Sequence, residues 1–155
     1  MGPHVGVRGE LDELAGWVAT YRELRPLLHT GTAVHADLVD PAYALHGVVA
    51  PDGSDAVFAW VATASSTSYP PPAVPLPGLD PAAVYRLRPL LPDAPIEGNA
   101  SRWGVDLPWW GAAGGARATA GVVVPGSVLT DVGVALPVLF PERSVLLRAQ
   151  RVQPT

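Results

Sequence analysis

Four histidines, at positions 4, 29, 35 and 46, are the side chains best suited to proton transfer or metal ligation near neutral pH. No two of them share a helical face, and neither an H-E-x-x-H motif nor a Cys-His combination accompanies them, so no metal centre is expected. His35 and His46 can meet across paired strands, where a surface pair is the ordinary outcome. The chain has no Cys, which removes thiolate ligands, thiolate nucleophiles and disulfides together. Serines at 54, 65, 66, 68, 101, 127 and 144 stand in no G-x-S-x-G elbow, and nothing fixes a His and an acid beside any of them. The Gly111-Ala112-Ala113-Gly114-Gly115 run is followed by neither a Lys nor a helical pattern, so it reads as a flexible linker rather than a phosphate cradle.

Carboxylates and aromatics are the remaining candidates. Glycosidases work with two carboxyl groups, and the chain has 14 acidic residues. Asp40, Asp52, Asp55, Asp80 and Asp93 each lie beside Pro, Gly or Ser, a setting in which Asp bonds its own backbone and makes a turn. Trp103, Trp109 and Trp110 fall in a Gly- and Pro-rich stretch. Exposed there, they can stack on the apolar face of a sugar ring; the alternative is that they cover the open end of the domain or a surface where another domain docks.

These residues need elements to hold them. From about Gly9 to Thr30, Leu11, Leu14, Trp17, Val18, Tyr21, Leu24 and Leu28 recur at helical spacing and lay an apolar stripe on one face. Glu10, Asp12 and Glu13 are expected in the first turn and Gly31 at the C-terminal cap, with Pro26 bending or ending the helix near Leu24 or Arg25. Beyond Gly31 short runs of Val, Leu and Tyr alternate with Pro, Gly and Asp, which predicts strands at 33 to 39, 44 to 50, 55 to 64, 73 to 77, 83 to 90, 117 to 124 and 144 to 152. Ala50-Pro51-Asp52-Gly53-Ser54-Asp55 supplies a fixed φ, a bonding side chain and a residue tolerant of positive φ, so 44 to 64 reads as a hairpin. Pro89 to Gly115 reads as a long irregular excursion. The fold class is mainly β: an antiparallel β-sandwich of about seven to eight strands preceded by one amphipathic α-helix. Eighteen prolines argue against a buried parallel sheet.

A chain of 155 residues has room for one domain with a core, and 48% apolar against 15% charged residues excludes disorder. A net charge of −4 with no basic cluster leaves no footprint for nucleic acid or an anionic membrane. Apolar runs such as Ala56 to Ala62 fall far short of the roughly 20 residues of a bilayer span, and no basic-then-apolar leader opens the chain. The expected protein is soluble and cytoplasmic, with no cofactor.

Several segments resemble a known family in order and spacing. Glu13-Leu14-Ala15-Gly16-Trp17-Val18-Ala19-Thr20-Tyr21-Arg22-Glu23-Leu24-Arg25-Pro26-Leu27-Leu28-His29-Thr30-Gly31 resembles the last barrel helix of bacterial α-galactosidases of glycoside hydrolase family 36. Leu45-His46-Gly47-Val48-Val49-Ala50-Pro51-Asp52 with Ala56-Val57-Phe58 is similar to the hairpin that opens their C-terminal sandwich. Leu76-Pro77-Gly78-Leu79-Asp80-Pro81 and Tyr85-Arg86-Leu87-Arg88-Pro89 resemble the next strand pair. Pro108-Trp109-Trp110, Pro125-Gly126-Ser127-Val128-Leu129, Gly133-Val134-Ala135-Leu136-Pro137 and Pro141-Glu142-Arg143-Ser144-Val145-Leu146-Leu147 follow in the family's order.

The resemblance implies a part of a retaining hydrolase of terminal α-galactosides: residues 1–31 a segment and helix like the last of a catalytic barrel, residues 32–155 a C-terminal sandwich. The family's two catalytic aspartates belong to the barrel, and its nucleophile lies in a Lys-Trp-Asp motif. This chain has no Lys, so no catalytic residue carries over and the chain reads as a fragment, inactive alone. The implied role is packing or oligomerisation, with a carbohydrate-binding module as the alternative. The partners expected are the catalytic barrel of a parent enzyme or another copy of the chain, reached through Leu11, Leu14, Trp17, Tyr21 and Leu24, and galactosides if the tryptophans bind sugar.

Overall fold

The computed structural model describes residues 3–66, 72–90, 121–136, 139, 141–142 and 144–153. Helix α1 spans Pro3–Thr30, and six strands follow: β1 Thr32–Ala36, β2 Tyr43–Val49, β3 Asp55–Ala62, β4 Val84–Leu90, β5 Val122–Pro125 and β6 Ser144–Arg151. The strands form one sheet in the order β1-β2-β3-β6-β4-β5, with every neighbouring pair antiparallel. The mainly β, antiparallel reading with one N-terminal helix therefore holds, with six strands among the described residues rather than seven or eight. The expected strand at 73 to 77 is reduced to a single bridge, Val74 to Val134. Pro75 and Pro77 alternate through it, and a residue without an N–H cannot extend a ladder.

Strand β3 explains why the sheet is covered on both sides. Ala56, Phe58, Trp60 and Ala62 face a core shared with Tyr43, Leu45, Tyr85, Leu87, Leu147 and Ala149. Val57, one pleat out of phase, joins a second cluster with Leu24 and Leu27 of α1 and Leu90 of β4. The inner face is closed by irregular chain carrying Val74, Leu76, Leu79, Leu129, Val134, Leu136 and Leu139. A single π-helical turn at Val128–Val132 presents Leu129 to that core, and the carbonyl of Leu129 accepts the N–H of Leu76 at 2.8 Å. The second layer of the expected sandwich is thus, among the described residues, largely non-strand.

The hairpin turn forms as its residues dictate. Asp52 accepts the Ser54 N–H at 3.0 Å and the Ser54 hydroxyl at 2.6 Å, Gly53 takes a φ of 73°, and β2 and β3 run back from Val49 opposite Ala56.

Helix α1 departs from expectation in two ways. It begins at Pro3, so its first turn carries no acidic residue and Glu10, Asp12 and Glu13 lie further in. Pro26 also fails to end it, for the helix runs on to Thr30. Pro26 and the residue whose carbonyl it leaves unbonded, Arg22, both lie on the exposed side, where water can serve that carbonyl. Leu24 and Leu27 on the other side are buried against the sheet and hold the last turns in place. Gly31 lies just past the helix end, as expected, and is held to glycine by want of room rather than by a left-handed φ. A Cβ there would lie 2.3 Å from Val48 Cγ1 and 2.7 Å from the carbonyl oxygen of Leu27.

Candidate functional site

The carboxylates sort into turns and one ion cluster. Asp40 accepts the N–H of Ala42 at 2.9 Å and the hydroxyl of Ser66, and Asp80 accepts the N–H of Ala82 at 2.9 Å. With Asp52, these three fill the turn roles their neighbours predict. Asp93 lies outside the described residues. Asp55 departs from the turn reading: it opens β3 and receives a two-pronged contact from Arg148 of β6, Nε at 3.0 Å and Nη2 at 2.8 Å. The third prong, Nη1, reaches Glu23 of α1 at 2.6 Å.

Arg148 is 6% exposed, the one charged residue among the buried described ones. Its bonds to Asp55 raise its pKa most, burial opposes them, and Glu23 adds to the rise, so it stays cationic. The cluster brings two carboxylates to one place, the arrangement a glycosidase needs. Here one guanidinium binds both, Asp55 through Nε and Nη2 and Glu23 through Nη1, so the pair is bridged by a cation rather than set across an open cleft. It fastens the helix to the sheet. The sequence signal was an Arg set within the apolar run Val145-Leu146-Leu147-Arg148-Ala149, where burial demands a partner.

The turn carboxylates carry a pH dependence. The Ser66 hydroxyl first, then the Ala42 amide, hold Asp40 below its ordinary value of 3.8, and the Ser54 hydroxyl and amide do the same to Asp52. Both groups bind protons less tightly folded than unfolded, so their contribution is present above pH 3.8 and is lost as pH falls through the folded values. The stability gap between the native chain and Asp52→Asn is expected to shrink as pH drops below about 4. Denaturant titrations at several pH values measure it; a gap constant across that range would refute the assignment.

His35 and His46 do stand opposite each other on β1 and β2, both exposed. Among the described residues no group of three or more His, Asp or Glu side chains is placed to hold a metal ion. Trp103, Trp109 and Trp110 lie outside the described residues. Among the described residues no helix is long and apolar enough to cross a membrane.

An apolar groove of about 420 Å³ lies between α1 and the outer face of the sheet. Trp17, Tyr21, Leu24 and Leu28 form its helical wall, and Val48, Val57 and Leu146 part of its floor. Only the last turns of the helix are packed: Leu24 is 5% exposed, whereas Leu11 and Leu14 are each 59% exposed and Tyr21 48%. Of the five stripe residues expected to meet a partner, the sheet takes Leu24, and Leu11, Leu14, Trp17 and Tyr21 remain open.

Comparison with known proteins accounts for the sheet. Residues 43–148, from the start of β2 to within β6, match the family model of the glycosyl hydrolase family 36 C-terminal domain. An α-galactosidase of Escherichia coli is 31% identical over 143 residues, covering 92% of this chain; the chain spans only 19% of that relative's length. Among solved structures, the α-galactosidase of Lactobacillus brevis superposes with a TM-score of 0.67 at 18% identity, covering 100% of this chain and 18% of that one. A family 36 α-galactosidase of Geobacillus stearothermophilus, solved in complex with raffinose, gives 0.57 at 24% identity over 87% of this chain and 15% of its own. Its described β-sheet spanning the matched segment, this chain belongs to the glycosyl hydrolase family 36 C-terminal domain family.

Proposed function

We propose that this chain is the non-catalytic C-terminal module of an α-galactosidase-like glycoside hydrolase, with a packing role against the domain that carries the chemistry. In this reading residues 32–155 form the module and residues 1–31 are its link to a catalytic barrel. The observation that carries it is the family match over residues 43–148, together with carboxylates engaged in turns or held by Arg148. Hydrolysis of terminal α-galactosides is then the property of the parent enzyme. The open stripe of α1 is the surface that a catalytic domain would cover.

The purified chain is expected to release no p-nitrophenol from p-nitrophenyl α-galactoside above a buffer blank, across pH 4 to 8 and at high protein concentration. Turnover that survives repurification and disappears with the Asp55→Asn variant would defeat this reading. It would mean that the Glu23 and Asp55 pair does chemistry rather than holding a helix.

A further inference from the structure

His35 of β1 is paired directly with His46 of β2, and residues so placed on antiparallel strands have Cβ atoms about 4.5–5.5 Å apart. Both side chains lie on the outer face of the sheet, for Val34 and Ala36 on either side of His35, and Leu45 beside His46, pack toward the inner core. Their surroundings there are small. Ala59 of β3 stands opposite His46, while Ala33 and Ala44 are the next outer-face residues along β1 and β2. Both histidines are exposed, and neither imidazole enters an ion pair or a hydrogen bond with another described residue. Asp37, two residues beyond His35, lines a separate hollow with Asp40, Tyr43 and Trp60.

We infer that His35 and His46 form a two-imidazole site for a late divalent transition ion of the Ni(II), Cu(II) or Zn(II) class. Imidazole suits these metals and binds through nitrogen at about 2.0–2.1 Å, so two rings rooted about 5 Å apart can converge on one ion. Among the described residues no third His, Asp or Glu completes the set. Water fills the remaining positions, which makes the site open and exchangeable rather than closed and structural. Its consequence is mechanical. Among the described strands β1 is an edge, laddered only to β2, and Gly31 joins it to the end of α1. An ion held by both strands closes a loop between residues 35 and 46 and ties that edge, with the end of the helix, to the sheet. Both ligands come from the chain's own strands, so the site needs neither a catalytic domain nor a cover on α1.

Calorimetric titration of the tag-free chain with nickel chloride near neutral pH is expected to show one saturable site per chain. Magnesium chloride is expected to show none, since Mg(II) takes oxygen ligands. His35→Gln and His46→Gln should each weaken Ni(II) binding by about tenfold or more, because a lone imidazole loses the intramolecular second step, and the double variant should fall little further. His4→Gln and His29→Gln should leave binding unchanged. The paired histidines are exposed and outside both core clusters, so their variants are expected to keep the native circular dichroism spectrum. In the native chain Ni(II) should slow amide exchange in β1 and β2 more than in β4 and β5. Absence of a site, its survival in either paired-histidine variant, or its loss in His4→Gln or His29→Gln overturns the inference. Equal binding of Mg(II), or β1 exchange that Ni(II) does not alter, overturns it as well. Metal binding and absence of hydrolysis are read by separate assays, so either can fail without the other.

Discussion

Trp60→Ala is expected to lower the free energy of unfolding by about 3–5 kcal/mol, and the melting temperature by about 10 °C. Trp60 is 2% exposed, stands opposite Leu45 and Val145 in the register, and stacks on Tyr43 with ring centroids 4.4 Å apart and planes 9° from parallel. Truncation removes the transfer energy of the indole and opens a void that the flanking strands, held by their ladders, cannot fill. Tyr43 also loses the ring it lies against, a contact worth about 1 kcal/mol beyond its area. Trp60→Phe keeps a stacking partner and should recover more than half of the loss. Urea titration followed by circular dichroism measures both, and a loss below 1 kcal/mol for the alanine variant would show that the inner layer does not close over this position.

Asp55→Ala is expected to cost about 3 kcal/mol, because it strands a buried guanidinium. The figure sits at the low end for an orphaned buried charge because Glu23 remains bonded to Arg148 and Asp55 itself is partly exposed, with 24% of its side chain accessible. Glu23→Ala, by contrast, removes a partner whose side chain is 63% exposed and should cost under about 1 kcal/mol while loosening the helix. Hydrogen exchange separates the two. Asp55→Ala raises exchange throughout β3 and β6, while Glu23→Ala raises it in α1 alone. Equal losses in the two variants would mean that the three groups share the ion pair evenly, against the geometry.

Most strands were legible because the alternation that identifies them is also what buries them: Phe58 and Trp60 inward, Val57 outward, with Gly53 and Asp52 making the turn. The helix was legible by its stripe, but its N-terminal limit was not, since residues 3 to 8 carry little periodic apolar signal. An early end at Pro26 did not follow, because its cost depends on which side of the helix the unbonded carbonyl faces and on the packing of Leu24 and Leu27 that holds the last turns. The three-way contact at Arg148 joins residues 93 and 125 positions apart, a separation that no local pattern encodes. Gly31 was read as the C-terminal cap and does lie just past the helix, yet its requirement for glycine comes from Val48, a neighbour that exists only after the sheet has formed.

The sheet order has one more consequence. Among the described strands, the hairpin of β2 and β3, with β1 on its flank, is laddered to the β4 and β5 pair through β6, which pairs with β3 on one side and β4 on the other. As the chain emerges from a ribosome, β6 arrives after the other described strands, leaving β3 and β4 with open sides until it has been made. Shielding by a chaperone would matter most in that interval, and a nonsense codon before Ser144 would leave two half-sheets joined by no ladder, only by what they share of the core.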